Sequence, residues 1–310
     1  HVAEKLGIPF FEGYVLPGRP TGAFPSPLLG LNLNLGGTAN RLSHVILLRI
    51  AWLLFQPIVN NARRLVLDMP PVSFRKLFRE FERRHQPTLH GYGPLVLPKP
   101  PDWPEWHHVT GYWFLDRPRD WQPSAGLVDF LESGPPPIYI GFGSMTGRDP
   151  EQMADIALEA LKRSRQRGLL LSGWGGISAS DLPDHVFKVD AAPHDWLFPR
   201  MAAVIHHGGS GTTAAGLRAG VPSIIVPFGG DQYLWGRRIQ TLGIGPEPIP
   251  RRKLTAERLS RAIGIATGNQ AMRHNAAALG ERIRAEDGIG QAVSIIEHTI
   301  GTSHNSRTHA

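Results

Sequence analysis

The stretch Ala203–Gln232, AVIHHGGSGTTAAGLRAGVPSIIVPFGGDQ, reads as a strand, a glycine turn, a helix, a second strand and a second polar turn. The apolar run Ala202–Ile205 ends at His206 and His207, and Gly208, Gly209 and Gly211 then allow a tight strand-to-helix turn that residues bearing a Cβ would resist. A helix is expected from near Gly211 to Gly220, where Val221 and Pro222 follow. Ser210, Gly211, Thr212 and Thr213 fall in its first turn. Backbone N–H groups there lack helical partners and the helix dipole is positive, so an anion such as a diphosphate is stabilised. The hydroxyls of Ser210, Thr212 and Thr213 add donors. Ser223–Val226 is short, apolar and preceded by a crossover helix, which is the pattern of a buried parallel strand.

Successive parallel strands joined by one helix lie side by side, roughly 4.8 Å apart, and ligands in such sheets bind beyond the carboxyl ends of the strands. His207 and the pair Asp231 and Gln232 are therefore expected to face one crevice. A carboxylate and a carboxamide supply the acceptors and donors that sugar hydroxyls need, next to the anion-binding turn. Taken alone, Asp231 equally suits a helix cap and the glycines suit an ordinary turn; the ordered set is more specific than its parts.

These residues resemble the donor-binding region of GT-B glycosyltransferases, in the family of plant and animal UDP-sugar transferases and bacterial aglycone glycosyltransferases. The run PHDWLFPRMAAVIHHGGSGTTAAGLRAGVPSIIVPFGGDQYLWGRRI looks like that of sterol 3-beta-glucosyltransferases. The resemblance covers most of the chain and is strongest from Ile138 to Leu254. It implies that His207 meets the diphosphate, that Gly209, Ser210, Gly211 and Thr212 hold its oxygens, and that Asp231 and Gln232 bind hydroxyls of the transferred sugar. It also places Gly143 and Ser144 at a phosphate and atoms near His194 at the uracil edge. Ala191 stands where plant members carry a tryptophan in the nucleobase segment. The implied fold is α/β, with two Rossmann-like domains: an incomplete amino-terminal one and a carboxyl-terminal parallel sheet flanked by helices.

Length and composition agree with two domains, since 310 residues with 41% hydrophobic content make a globular chain. The excess of 33 basic over 26 acidic residues, a net charge of +7, favours anionic partners such as nucleotide diphosphates or acidic lipid head groups. The basic residues are scattered and no finger, recognition helix or RNA-binding aromatic signature is present, so nucleic acid is not an expected partner. Cysteine is absent, which excludes disulfides and thiolate chemistry and suits a reducing cytoplasm. No signal peptide opens the chain, and no apolar run is read as approaching the ~20 residues of a membrane span. The opening HVAEKLGIPF reads as a helix end leading into a strand, so the natural amino terminus is expected to lie upstream of His1.

Residues 1–117 are assigned to a partial acceptor-binding domain, 118–137 to a linker, 138–300 to the nucleotide-sugar domain and 301–310 to a flexible tail. In the first of these, Ile8–Phe11 reads as a strand and Leu42–Val59 as a helix apolar nearly all round. Such a helix is normally buried; the sharper alternative is an acceptor-facing or membrane-dipping helix with Arg41, Arg49, Arg63 and Arg64 at lipid head groups. Arg75–Arg84 reads as a basic amphipathic helix. Trp103, Trp106, Trp113 and Trp121 lie among prolines, outside any helix interior, and suit interdomain packing or acceptor stacking.

Beyond the linker, Ile138–Phe142 is an expected strand, with Gly141-Phe142-Gly143-Ser144 at its end departing from GxGxxG spacing. Pro150–Arg167 is an expected helix, and the loop after Leu169–Ser172 brings Trp174 toward a nucleoside. Helices are expected at Tyr233–Thr241, Leu254–Thr267, Ala271–Arg284 and Ile289–Ile300, the last returning to the first domain as GT-B folds often do.

The implied reaction is inverting, metal-independent transfer of a hexose, from UDP-glucose as donor substrate with no cofactor, to a hydroxyl of a sterol-like or other lipophilic acceptor. No residue set has metal-ligand spacing. The resemblance puts the general base, a histidine or aspartate, upstream of His1. Two other readings stay open: a nucleotide-sugar-binding remnant without catalysis, and an aglycone transferase using another nucleotide sugar.

Overall fold

Five short apolar strands, β4 (Ile138–Gly141), β5 (Gly168–Leu171), β6 (Val186–Val189), β7 (Ala203–His206) and β8 (Ser223–Ile225), form one parallel sheet in the order β6-β5-β4-β7-β8. Register is set residue by residue: Ile138 lies opposite Gly168 on one side and Ala203 on the other, and Val204 lies opposite Ser223. Because side chains alternate along a strand, Ile138, Ile140 and Ile205 enter one core layer, whereas Tyr139, Leu169 and Val204 enter the opposite one. Helices cover both faces, which is why the central strands β4 and β7 are buried at every position rather than alternating, whereas the edge strand β6 exposes Lys188.

The first layer is closed by α5 (Pro150–Ser164), through Met153, Ala157 and Leu161, and by α9 (Ala256–Gly268), through Leu259, Ile263 and Ala266. The second takes Leu127 from α4 (Ala125–Glu132) and Leu197 from α6 (His194–Leu197), with Phe198 beyond it. Ser124 caps α4 and Thr255 caps α9, each accepting from the backbone N–H three residues on. The crossover from β7 to β8 is α7 (Ser210–Ala219), and α8 (Gln232–Thr241) follows β8.

The computed structural model describes residues 1–30, 34–83, 85–143, 150–171 and 182–308. They form two units: one of His1–Leu29, Leu33–Trp113 and Asp287–Ala310, the other chiefly Phe114–Glu286. Residues 118–137, read as a linker, thus group with the second unit, where α4 packs into its core. The carboxyl-terminal helix α11 (Gly288–Thr308) groups with the first unit, while α10 (Gln270–Arg284) stays in the second. The flexible tail expected from Gly301 is instead helical backbone as far as Thr308.

The first unit has a three-stranded parallel sheet of β1 (Glu12–Tyr14), β2 (Thr88–His90) and β3 (His107–Val109), with α1 (Val2–Leu6), α2 (Gly37–Leu65) and α3 (Phe74–Arg83). The strand expected at Ile8–Phe11 lies one step later. Pro9 has no N–H for a ladder, and pairing begins only at Glu12, opposite Thr88. The tryptophans find partners inside their own units: Trp103 stacks on His90 with centroids 4.3 Å apart, Trp106 on His85, Trp113 donates to Thr110 and Trp121 meets Trp196 edge-on.

Two expectations for α2 fail. It runs 29 residues and contains a window of mean hydropathy 1.7, long and apolar enough to cross a membrane, because Arg49 is the only charge between Arg41 and Arg63. It is also not a buried helix, since only 11% of that window is buried. The physical reason is that its polar residues make the inward contacts. Arg63 among them is buried, paired with Glu4 and donating to the Pro70 carbonyl at 2.8 Å, so it does not reach head groups.

Candidate functional site

From β4 the chain proceeds outward to β5 and β6, then returns across the sheet to β7 and β8 on the other side of β4. The order therefore reverses between β4 and β7, and the crevice beyond the carboxyl ends at such a reversal is where open α/β sheets bind ligands. Gly143 lies two residues beyond β4 and His207 one residue beyond β7, and they are brought together there: a Cβ on Gly143 would lie 3.5 Å from Cε1 of His207.

The glycine turn is dictated by crowding. Gly208 has φ +89°, and a Cβ on it would come within 2.6 Å of the Ile225 side chain. Gly209 has an ordinary φ of −61°, but its Cβ would come within 2.3 Å of Nε2 of His207. The chain then enters α7 with no side-chain cap, and the first-turn N–H groups of Gly211 and Thr212 lie ahead of the first intrahelical acceptors. Among the described residues, Cβ atoms added to Gly211, Gly229 or Gly230 would meet nothing within 4 Å. Ser210 and Thr212 are half-buried beside that space, whereas Thr213 is buried, so its hydroxyl does not serve the open side as expected.

His207 is half-buried, and burial lowers its pKa more than the nearby Asp231 carboxylate raises it, so the ring is neutral at neutral pH. Asp231 shifts upward, chiefly because burial disfavours its charge, against the stabilising indole N–H of Trp235 and the His207 ring. That indole, on a fully buried ring, donates to Oδ2 at 2.9 Å. Asp231 occupies the cap position of α8 without capping it, because its carboxylate turns to Trp235, one turn along the helix.

Gln232 is 8% exposed, and its carboxamide oxygen accepts from the N–H groups of Phe228 at 2.7 Å and Gly229 at 3.2 Å. Its oxygen thus fixes the turn that carries Asp231. His194 opens α6, stacks on Phe198 with centroids 4.2 Å apart and meets Tyr139 edge-on. Burial lowers its pKa, and the neighbouring Asp195 pairs with Arg117 at 2.9 Å. Ser144 and Trp174 lie outside the described residues.

His206 was not singled out by the sequence, yet it shapes the turn. It is fully buried, and its Nδ1 accepts from the Gly208 N–H at 3.1 Å. Burial holds its pKa down at about 3, so the ring is neutral and its proton sits on Nε2, which has no hydrogen-bond partner among the described residues. The signal that could have found it is its place at the end of a strand buried at every position, on the same face as Val204.

A family profile described as Erythromycin biosynthesis protein CIII-like, C-terminal domain, matches residues 175–296, which include the whole β7–α7–β8 unit. Sterol 3-beta-glucosyltransferase UGT80B1 of Arabidopsis thaliana is 41% identical over 295 residues, covering 94% of this chain and 47% of that protein. The chain thus spans about half the length of this curated relative. The crystal structure of the glycotransferase of kitacinnamycin superposes with a TM-score of 0.66 at 18% identity, over 96% of this chain and 72% of that one. The UDP complex of Arabidopsis thaliana UGT89C1 superposes with a TM-score of 0.52 at 18% identity, over 64% of this chain and 53% of that one. The chain is a homologue of the sterol 3-beta-glucosyltransferases, built on the GT-B glycosyltransferase fold.

Proposed function

We propose that this chain holds UDP-glucose for inverting transfer of glucose to a hydroxyl of a sterol or similar lipophilic acceptor. The observation that carries the reading is the glycine-lined amino terminus of α7 at the reversal of strand order, unobstructed among the described residues, with His207 and the Trp235-held Asp231 beside it. The names of the sterol 3-beta-glucosyltransferase relative and of the UDP-bound UGT89C1 support acceptor and nucleotide respectively.

In this reading the diphosphate lies over the first turn of α7, where the N–H groups of Ser210, Gly211 and Thr212 and the helix dipole meet its oxygens. As the acceptor oxygen bonds to the anomeric carbon, its proton passing to a general base outside this set of residues, the bond to the phosphate breaks, negative charge builds on the departing diphosphate, and donors already aimed at it stabilise the transition state. The neutral His207 ring donates a hydrogen bond there without carrying charge into the crevice. Asp231, oriented by Trp235, accepts from sugar hydroxyls; Gln232 keeps the turn in register.

Calorimetry with UDP, AMP and UDP-glucose tests this. UDP is expected to bind more tightly than AMP, and Asp231→Ala to weaken UDP-glucose more than UDP. Absence of UDP binding would sink the proposal. Binding without transfer to any hydroxylated lipid would leave a nucleotide-sugar-binding module.

A further inference from the structure

The 29 residues of α2 invert the usual amphipathic arrangement. Its polar side chains face the body of the unit: Asn40 donates to the Gly22 carbonyl at 2.8 Å, Ser43 accepts from the Ser26 N–H at 2.8 Å, and His44 meets the Phe24 carbonyl at 3.1 Å. Near the other end Asn60 accepts from the Val72 N–H at 2.8 Å, and Arg63 is paired with Glu4. Its apolar side chains face outward, with Leu53 and Leu54 each 69% exposed and Leu42, Ile46, Ile50, Phe55, Ile58 and Leu65 exposed as well. From Leu42 to Leu65 this apolar surface runs about 35 Å. An exposed patch of that extent marks an interaction surface.

Charge decides the occupant. The helix has four arginines and no acidic residue. Arg63 is used internally, but Arg41, Arg49 and Arg64 are exposed along the apolar surface. Arg49 leans over the Phe74 ring, and Arg41 has one long contact, 3.5 Å, to Asp102. Apolar side chains interspersed with cations and free of acids are the chemistry of an amphipathic helix lying in an anionic lipid interface. The same geometry argues against a span: crossing the bilayer would strip the hydrogen bonds of Asn40, Ser43, His44 and Asn60 and carry Arg63 into hydrocarbon.

We propose that α2 docks this chain in the plane of an anionic bilayer, its leucines, isoleucines and Phe55 in the acyl boundary and Arg41, Arg49 and Arg64 at the head groups. The inference does not depend on the nucleotide site, so UDP binding serves as the control for folding. The experiment is flotation with vesicles of phosphatidylcholine alone and of phosphatidylcholine with phosphatidylserine. Binding is expected on the anionic vesicles and to fall with salt. Leu53→Glu with Leu54→Glu, both at exposed positions, is expected to lower partitioning roughly tenfold or more while leaving UDP binding intact. Arg49→Gln and Arg64→Gln are each expected to lower it about fivefold, on anionic vesicles only. No flotation with either vesicle, or flotation undiminished by the leucine pair, overturns the proposal; the first result would mean that α2 is covered by protein.

Discussion

The contact between the glycine turn and His207 can be tested by a double-mutant cycle. In Gly209→Ala the new Cβ would lie 2.3 Å from Nε2 of His207. Carbon contacts are comfortable at about 3.5–4.0 Å, so the imidazole must retreat by about 1 Å or more. Its retreat is limited by burial and by Gly143, just beyond β4. Overpacking of this kind costs about 1–3 kcal/mol, and the flexible end of one side chain puts the expectation at the lower half of that range, about 1–2 kcal/mol. The backbone adds no strain, because φ at Gly209 is −61°. Alanine is a poorer amino-terminal cap than glycine, but that penalty appears in both backgrounds and cancels. In His207→Ala the clash has no ring to meet, so Gly209→Ala should then cost only the capping term. Urea unfolding of the wild type, both single variants and the double variant should give a coupling energy of about 1–2 kcal/mol favouring the double variant. Additivity within about 0.5 kcal/mol would refute the packing of His207 over the turn, and with it the placement of its ring beside the cradle. Calorimetry on the same four proteins should show Gly209→Ala weakening UDP binding only where His207 is present.

Three further expectations follow from the same geometry. Trp235→Phe keeps the buried ring but removes the donor to Asp231; a hydrogen bond to a charged group is worth about 1.5–3 kcal/mol, so affinity for UDP-glucose should fall by roughly tenfold or more while UDP changes little. Equal losses for the two ligands would show that Asp231 is not oriented for the sugar. Gly280→Ala would bring a Cβ within 2.7 Å of the Gly220 backbone, which cannot yield as a side chain can, so α10 must move off α7; a stability loss of about 1–3 kcal/mol is expected in thermal unfolding, together with weaker UDP binding. His90, His107 and His206 are held neutral by burial, with pKa values near 4, 3 and 3 against 6.5 when unfolded. Below pH 6.5 the unfolded chain therefore binds more protons, so stability is expected to fall as pH drops from about 6.5 toward 4, by up to about 3 kcal/mol per histidine. His206→Gln should flatten that pH dependence in thermal melts.

The β7–α7–β8 unit was legible because every signal in it is local. Strand length, glycine placement and the helix start are set within thirty residues, and β7 and β8 pair side by side as sequence adjacency implies. The pairing of β4 with β7 was not legible, because it joins segments some sixty residues apart and depends on the return across the sheet. Gly143 was placed at the site by resemblance, and the reason for its position appeared only with the strand order. Asp231 stands out in the sequence as a candidate because of its turn, but its partner does not, although Trp235 stands four residues on, the spacing at which side chains on a helix meet. α2 was misread for a physical reason: the rule that apolar helices are buried supposes that polar groups prefer water, whereas here Asn40, Ser43, His44 and Arg63 find better partners inside.

The order in which the units are threaded has a consequence for biosynthesis. Apart from Gly30–Asn32 the second unit is the uninterrupted segment Phe114–Glu286, but the other unit recruits Asp287 onward, after that segment has been made. A ribosome emitting the chain from its amino terminus therefore releases the whole five-stranded sheet before α11 becomes available to its neighbours. The five-stranded sheet can thus form during translation, while the other unit is complete only once Asp287 and the residues after it have emerged.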